Sequence, residues 1–190
     1  MGRSRLTPER EAELYEGVLD LLREVGYDAL TMDAVAARTR SSKATLYRQW
    51  KSKPELVARA LRHSRPVAAV GVDTGSLRGD FAEMVRRIDD EQMARHAALL
   101  RGLGMPVRDN PELHQALCDV LLDPEVSGLK AILQRAIDRG EIAADRPALQ
   151  FIPHMLIGAF LSRQLIEERF ADAAFLSAYL DAVVLPALGA

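Results

Sequence analysis

The sequence predicts an all-α fold: an N-terminal three-helix head with a helix-turn-helix, residues 1–65, followed by a larger α-helical body, residues 66–190. Three observations predict it. Apolar residues recur at helical spacing from end to end, and no sustained period-two run of branched or aromatic residues marks a strand. Capping residues stand at the start of successive apolar stripes. The charge is also unevenly divided, because residues 1–65 hold 13 Lys and Arg against 9 Asp and Glu in a chain whose net charge is -2.

Each element follows from local chemistry. Thr7 caps the first helix, Pro8 takes its first position, and Glu9 and Glu11 favour the positive end of its dipole. Leu14, Val18, Leu21, Leu22 and Val25 form its stripe, and Gly26 is its stop. Thr31 caps a short second helix through Arg38, and Ser42 caps a third running to about Trp50. Ser52 and Glu55 make a capping box for a fourth that ends near Pro66. The following PVAAVGVDTG is apolar but lacks a stripe, so it connects head to body.

In the body, Leu77, Phe81, Met84 and Ile88 mark a helix that residues 89–92 interrupt, and a further segment ends at the Gly-Leu-Gly-Met-Pro of 102–106. Asn110 and Pro111 open a helix carrying Leu113, Leu117 and Leu121. Asp123-Pro124 either kinks it or caps a successor that stops at Gly140. Residues 145–168 are apolar on several faces, and Pro153 should either open the backbone bonding of that helix, keeping part of a pocket from closing, or stand as a tolerated kink. Residues 172–188 form a second apolar helix. Two such neighbours predict a homodimer through Leu161, Leu165, Leu176, Tyr179, Leu180, Val183 and Val184, although an internal core remains the alternative.

Composition limits the function. With 48% apolar and 27% charged residues the chain reads as soluble and globular, and no apolar run approaches the roughly 18 residues of a membrane span. The only cysteine, Cys118, has no partner in the chain, and the charged start MGRSRLTPER leads into no apolar stretch. A cytoplasmic protein with no membrane partner is expected. No catalytic or dinucleotide motif is present, and the four histidines lack metal-ligand spacing, so no catalytic residue, metal or cofactor is expected.

The head is more specific. Between Arg38 and Arg65 nine basic residues face one acid, Glu55, a pattern suited to a polyanion. Residues 31–50, TMDAVAARTRSSKATLYRQW, place two short helices around a tight turn. Leu46 and Trp50 should pack inward with Val35 and Ala36, which points Ala44 and Arg48 outward with Lys43, Thr45 and Tyr47 at the flanks. Such a face offers donors for base edges, apolar groups for thymine methyls, and little bulk.

Residues 7–62 resemble the TetR family of bacterial regulators. The matching features are the long capped first helix, Gly26-Tyr27, Leu30-Thr31-Met32 with Val35-Ala36, Ser42 with Thr45-Leu46-Tyr47, Trp50, and Lys51-Ser52-Lys53 with Glu55-Leu56. DTGSLRGDF at 73–81 looks like the head-to-body connection of a subset of that family. The resemblance implies a homodimer on a pseudo-palindromic DNA operator, released by a small-molecule effector held in the body. By position it implies base reading by Lys43, Ala44 and Tyr47, joined by the outward Arg48, and phosphate contacts from Thr31, Ser42, Thr45, Gln49 and Lys53. Arg40 stands where the family usually has a turn glycine, so either it tolerates a positive φ or the turn is reshaped, and it could add a phosphate contact. Ser41 replaces the usual apolar residue there.

For the effector, Phe81, Met84, Met93, Leu100, Met105, Phe151, Met155 and Phe160 offer an apolar lining, with Arg101, His114 and His154 as orienting polar groups. A small-molecule-binding or enzymatic helical protein with an incidental basic head is the alternative reading.

Overall fold

The computed structural model describes residues 6–64 and 69–190, apart from the side chains of 97, 100–102 and 104. Among these residues every regular element is a helix. The elements are α1 (Pro8–Ala29), α2 (Met32–Arg38), α3 (Lys43–Gln49), α4 (Lys53–His63), α5 (Leu77–Arg86) and α6 (Asp90–Gly102). They continue with α7 (Gly104–Asp109), α8 (Pro111–Leu117), α9 (Asp123–Asp138), α10 (Ile152–Glu167), α11 (Ala173–Tyr179) and α12 (Leu185–Leu188). The predicted all-α class is the observed one. Of the connection expected to start at Pro66, residues 66–68 lie outside the described residues.

The chain packs into two compact units, Met1–Arg65 with Arg95–Asp123 and Pro66–Ala94 with Pro124–Ala190. The first contains all of 1–65 and adds a stretch from further along the chain. Its core joins Leu14, Val18, Leu19, Val35, Leu46, Trp50, Leu56 and Leu61 to Leu103, Leu113 and Leu117. In the second unit the core is built on Leu77, Phe81, Ile132, Ile152, Val184 and Leu188. There the buried Asp80 carboxylate accepts the Thr74 N–H at 2.6 Å and its hydroxyl at 2.8 Å, with the Arg135 and Arg139 guanidiniums 3.8 and 3.9 Å away. The DTGSLRGDF segment is therefore a charged knot tying α5 to α9.

Helix caps fall where the sequence puts them. Thr7, Thr31, Ser42, Ser52 and Asn110 each accept a backbone N–H from the first turn they precede. Gly26, at φ 74°, breaks the regular course of α1, and one more turn follows it. Asp123-Pro124 does not end its helix: the chain stays helical from Pro111 to Asp138 through a π turn at Cys118–Leu122. Pro124 has no N–H to offer the Val120 carbonyl four residues back, and the Arg62 guanidinium donates to that oxygen at 2.7 Å. The Gly-Leu-Gly-Met-Pro of 102–106 ends α6 at Gly102, yet Gly104–Asp109 is helical again despite its glycine and proline. Pro153 is corrected too. It sits in the first turn of α10, preceded by a 3-10 turn at Pro147–Phe151, so its missing N–H disturbs no helix interior.

The turn between α2 and α3 resolves the question of Arg40. The Ser41 N–H donates to the Ala36 carbonyl at 2.9 Å and the Arg40 N–H to the Ala37 carbonyl at 3.4 Å, which is the Schellman pattern. That pattern needs a left-handed residue in the place Arg40 occupies, and Arg40 adopts φ 49°. The turn keeps the shape a glycine would give, at a side-chain cost of roughly 1–2 kcal/mol. Arg40→Gly should therefore raise unfolding stability by about 0.5–1 kcal/mol, once glycine's extra unfolded-state entropy of roughly 0.4–1 kcal/mol is subtracted. Urea denaturation of the two proteins measures it.

Candidate nucleic-acid interface

The candidate surface is the outward face of α3, a helix too short to stand alone. α3 has seven residues, and its inner side is fixed by Leu46, fully buried, and by Trp50 at its C-cap. The Trp50 Nε1–H donates to the Tyr15 hydroxyl at 3.3 Å, and that hydroxyl donates to Glu11 at 2.6 Å. Burial, reinforced by Glu11, pushes the Tyr15 pKa far up and keeps the hydroxyl protonated as a donor. Val35 is buried as expected, and Ala36 is half-buried against the same core. Gly17 lets α1 and α2 approach closely, since a Cβ there would meet the Thr39 methyl at 2.9 Å.

With the inner side so fixed, Lys43, Ala44, Tyr47 and Arg48 all face outward, and Tyr47 is 52% exposed. Thr31, Arg40 and Ser42 are exposed, and Thr45 and Gln49 are half-buried. The Thr31 hydroxyl is occupied as a cap to the Ala34 N–H at 3.1 Å, and Ser42 and Thr45 share a hydrogen bond at 2.9 Å. Gln49 lines a small polar dent with Leu6, Glu11, Trp50 and Arg59.

Lys53 is placed differently from the other phosphate candidates. Its ammonium donates to the Tyr27 and Leu30 carbonyls, each at 3.0 Å, and lies 4.1 Å from the centroid of the Tyr27 ring. It closes the carbonyl end of α1. Desolvation lowers its pKa, with Asp28 pulling the other way, and burial pushes Tyr27 up to about 12. Sequence reasoning missed Asp33, whose carboxylate forms an ion pair with Lys43 across the turn. It also passed over Lys51, exposed just beyond α3.

The expected interface residues separate into two groups. Leu161, Leu165 and Val183 are exposed, Leu165 by 85%, whereas Leu176, Leu180 and Val184 are buried in their own unit and Tyr179 is half-buried. Ile166, not singled out before, is 78% exposed beside Leu165. The expected effector residues are also dispersed. Met105 and His114 are exposed in the first unit, and in the second Phe151 and His154 are exposed, their rings edge-on at 6.4 Å. Phe81 and Met93 are buried, Met84, Met155 and Phe160 are half-buried, and Phe81, Met84 and Met155 share one core. The side chains of Leu100 and Arg101 lie outside the described residues. Cys118 is half-buried, with burial raising its thiol pKa, and its Sγ lies 3.7 Å from His114 Nε2.

Both parts of the chain have counterparts among known proteins. Residues 14–60 match the family model described as bacterial regulatory proteins, tetR family, and residues 72–183 match a tetracyclin repressor-like C-terminal domain. A Mycobacterium tuberculosis protein, named as an uncharacterized HTH-type transcriptional regulator, is 39% identical over 179 residues, covering 94% of this chain and 88% of its own. The DNA-binding transcriptional repressor TetR of Mycobacteroides abscessus is 34% identical over 177 residues, covering 93% and 92%. A solved TetR family transcription regulator is 26% identical with a TM-score of 0.63, covering 90% of this chain and 93% of its own. Salmonella enterica GusR shares the fold with a TM-score of 0.68 at 16% identity, covering 99% and 100%.

Lys53 is where position and geometry assign different work, and a stability measurement separates them. Lys53→Met should lower unfolding stability by about 1–3 kcal/mol, because two carbonyls at the end of α1 lose their donor. Thermal or urea unfolding without DNA reads this directly, and an unchanged midpoint would return Lys53 to the phosphate contacts.

Proposed function

The chain belongs to the TetR family of bacterial regulatory proteins, and on that premise we propose that it represses transcription in the cytoplasm as a homodimer on a pseudo-palindromic operator. Residues 1–65 act as the DNA-binding head and 66–190 as the effector-binding and dimerisation body. The outward face of α3 carries the proposal: Lys43, Ala44, Tyr47 and Arg48 share it, set by the buried Leu46 and Trp50. Arg40, Ser42, Thr45 and Thr31 surround it as phosphate contacts, with Gln49 at its far end. Repression is favoured over activation by the name of the 34% identical relative. The enzymatic reading has no observation in its favour.

For the body, a small apolar effector is the fitting class, and Met84, Met155 and Phe160 are the candidate lining residues that are both apolar and part-exposed. The effector must bind the non-operator arrangement more tightly: moving a 1:99 population to 99:1 takes about 5.5 kcal/mol of differential affinity.

Selection from random duplexes should return a two-fold sequence with half-sites about one helical turn, roughly 34 Å, apart. Tyr47→Ala or Arg48→Ala should then cost about 1–3 kcal/mol per base contact on that duplex and little on random ones. A pool that yields no two-fold sequence would sink the regulator reading.

Dimerisation is assigned to the exposed Leu161, Leu165, Ile166 and Val183 rather than to the inward-facing Leu176, Leu180 and Val184. A stable dimer of this kind buries about 1,600 Å² or more. Leu165→Arg should give a folded monomer in light scattering, because a charge at that exposed site costs the single subunit nothing yet would be unpaired in a dry interface. Wild-type protein that is monomeric at micromolar concentration would overturn the assignment.

A further inference from the structure

Asp33 is an acid on a surface that has to approach phosphates. Between residues 31 and 64 the chain has two acids, Asp33 and Glu55. Glu55 is turned to its own helix, accepting the Lys51 N–H at 3.1 Å and pairing with Arg59 at 3.0 Å. Asp33 instead stands in the first turn of α2 with its side chain 67% exposed, and it pairs with Lys43, the first residue of α3. The two side chains come from the two helices of the helix-turn-helix, each with its start fixed by a cap, Thr31 for α2 and Ser42 for α3. Among the described cations bordering the outward face, Arg40, Arg48 and Lys51 have no carboxylate partner. Helix-dipole stabilisation explains an acid in the first turn of α2, but it does not explain why that acid holds the lysine that opens the recognition helix.

We propose that Asp33 is a specificity-positioning residue: its carboxylate holds the Lys43 ammonium away from the DNA backbone and presents it to a base edge. The inference rests on the regulator reading above. A lysine ammonium is a compact point charge that any phosphate attracts, whatever the sequence. Pairing with Asp33 cancels that charge at the range of the backbone, and it uses one of three donors while leaving two for an acceptor pair such as guanine O6 and N7. The residue thereby trades non-specific affinity for discrimination.

The probes are the duplex that the wild-type protein itself selects from a random pool and a scrambled duplex of equal length, titrated across a salt series. Asp33→Asn should tighten binding to the scrambled duplex, steepen its salt dependence by about one unit per new phosphate contact, and leave the selected duplex unchanged or weaker. The ratio of the two affinities should fall about tenfold, the size of one good base contact. Asp33→Glu should restore most of the ratio. In a Lys43→Ala background, Asp33→Asn should shift both duplexes by the same factor. An equal shift on both duplexes in the Lys43 protein would overturn the proposal, since it would show only a general charge effect. If the wild-type protein selects no preferred duplex, the regulator reading falls and takes this inference with it; an equal shift, which leaves the ratio unchanged, removes the inference alone.

Discussion

The outward face of α3 depends on how Leu46 and Trp50 are held. A seven-residue helix is well below the roughly 12–15 residues at which isolated helices become even marginal, so α3 keeps its shape only while its inner side is docked. The anchor is α1, 22 residues long, which carries Tyr15 and Glu11 one turn apart. The Tyr15 ring meets the Trp50 ring edge-on at 5.6 Å, and their hydroxyl and indole N–H continue the contact into a polar chain ending on Glu11. Because Leu46 and Trp50 are four residues apart, docking both fixes the rotation of the helix. The outward positions of Lys43, Ala44, Tyr47 and Arg48 are the remainder of that constraint.

What could be read in advance was local. A cap needs a side chain three residues from the N–H it satisfies, so Thr7, Thr31, Ser42, Ser52 and Asn110 announced five helix starts in the sequence alone. The inward set of the head was legible because its period is 3.6 residues and its outer side is polar. Lys53 was not legible. In the sequence it is one basic residue among nine, and its role appears only when α4 brings it to the Tyr27 and Leu30 carbonyls, 26 and 23 residues earlier in the chain. Asp33 and Lys43 are ten residues apart, and their pairing needs the turn that Arg40 shapes.

The C-terminal helices show a different limit. Periodicity separates apolar from polar faces, and α10 is apolar on nearly all of them, so no phase could be assigned. The fold makes the choice that the pattern left open. Ile152 and Ala159 turn to the core of their unit, while Leu161, Leu165 and Ile166 turn out near the end of the helix. There Arg163, itself buried, pairs with Asp172 at 2.9 Å and Glu167 at 3.3 Å and lies 4.1 Å from the Phe175 ring. This clamp fixes the start of α11, whose Leu176 then faces inward, followed by Leu180 and Val184 in the π turn beyond. The residues left outside are Leu161, Leu165 and Ile166 near the end of α10 and Val183 beyond α11, fewer than the stripe that periodicity alone offers.

Counting charges in the head overstates what is available to a phosphate backbone. Arg38 forms a two-bond pair with Glu24 at 2.6 and 3.1 Å, Arg59 pairs with Glu55, and Lys43 with Asp33. Lys53 and Arg62 give their donors to carbonyls, which leaves their charge in place but fixes where it sits. Among the described residues of that basic stretch, Arg40, Arg48 and Lys51 remain exposed without an ionic partner. One lies in the turn before α3, one on its outward face, and one just past its end. Among the described residues of that stretch, the exposed cations with neither a carboxylate nor a carbonyl partner thus lie around α3, while the partnered ones tie down the helices next to it.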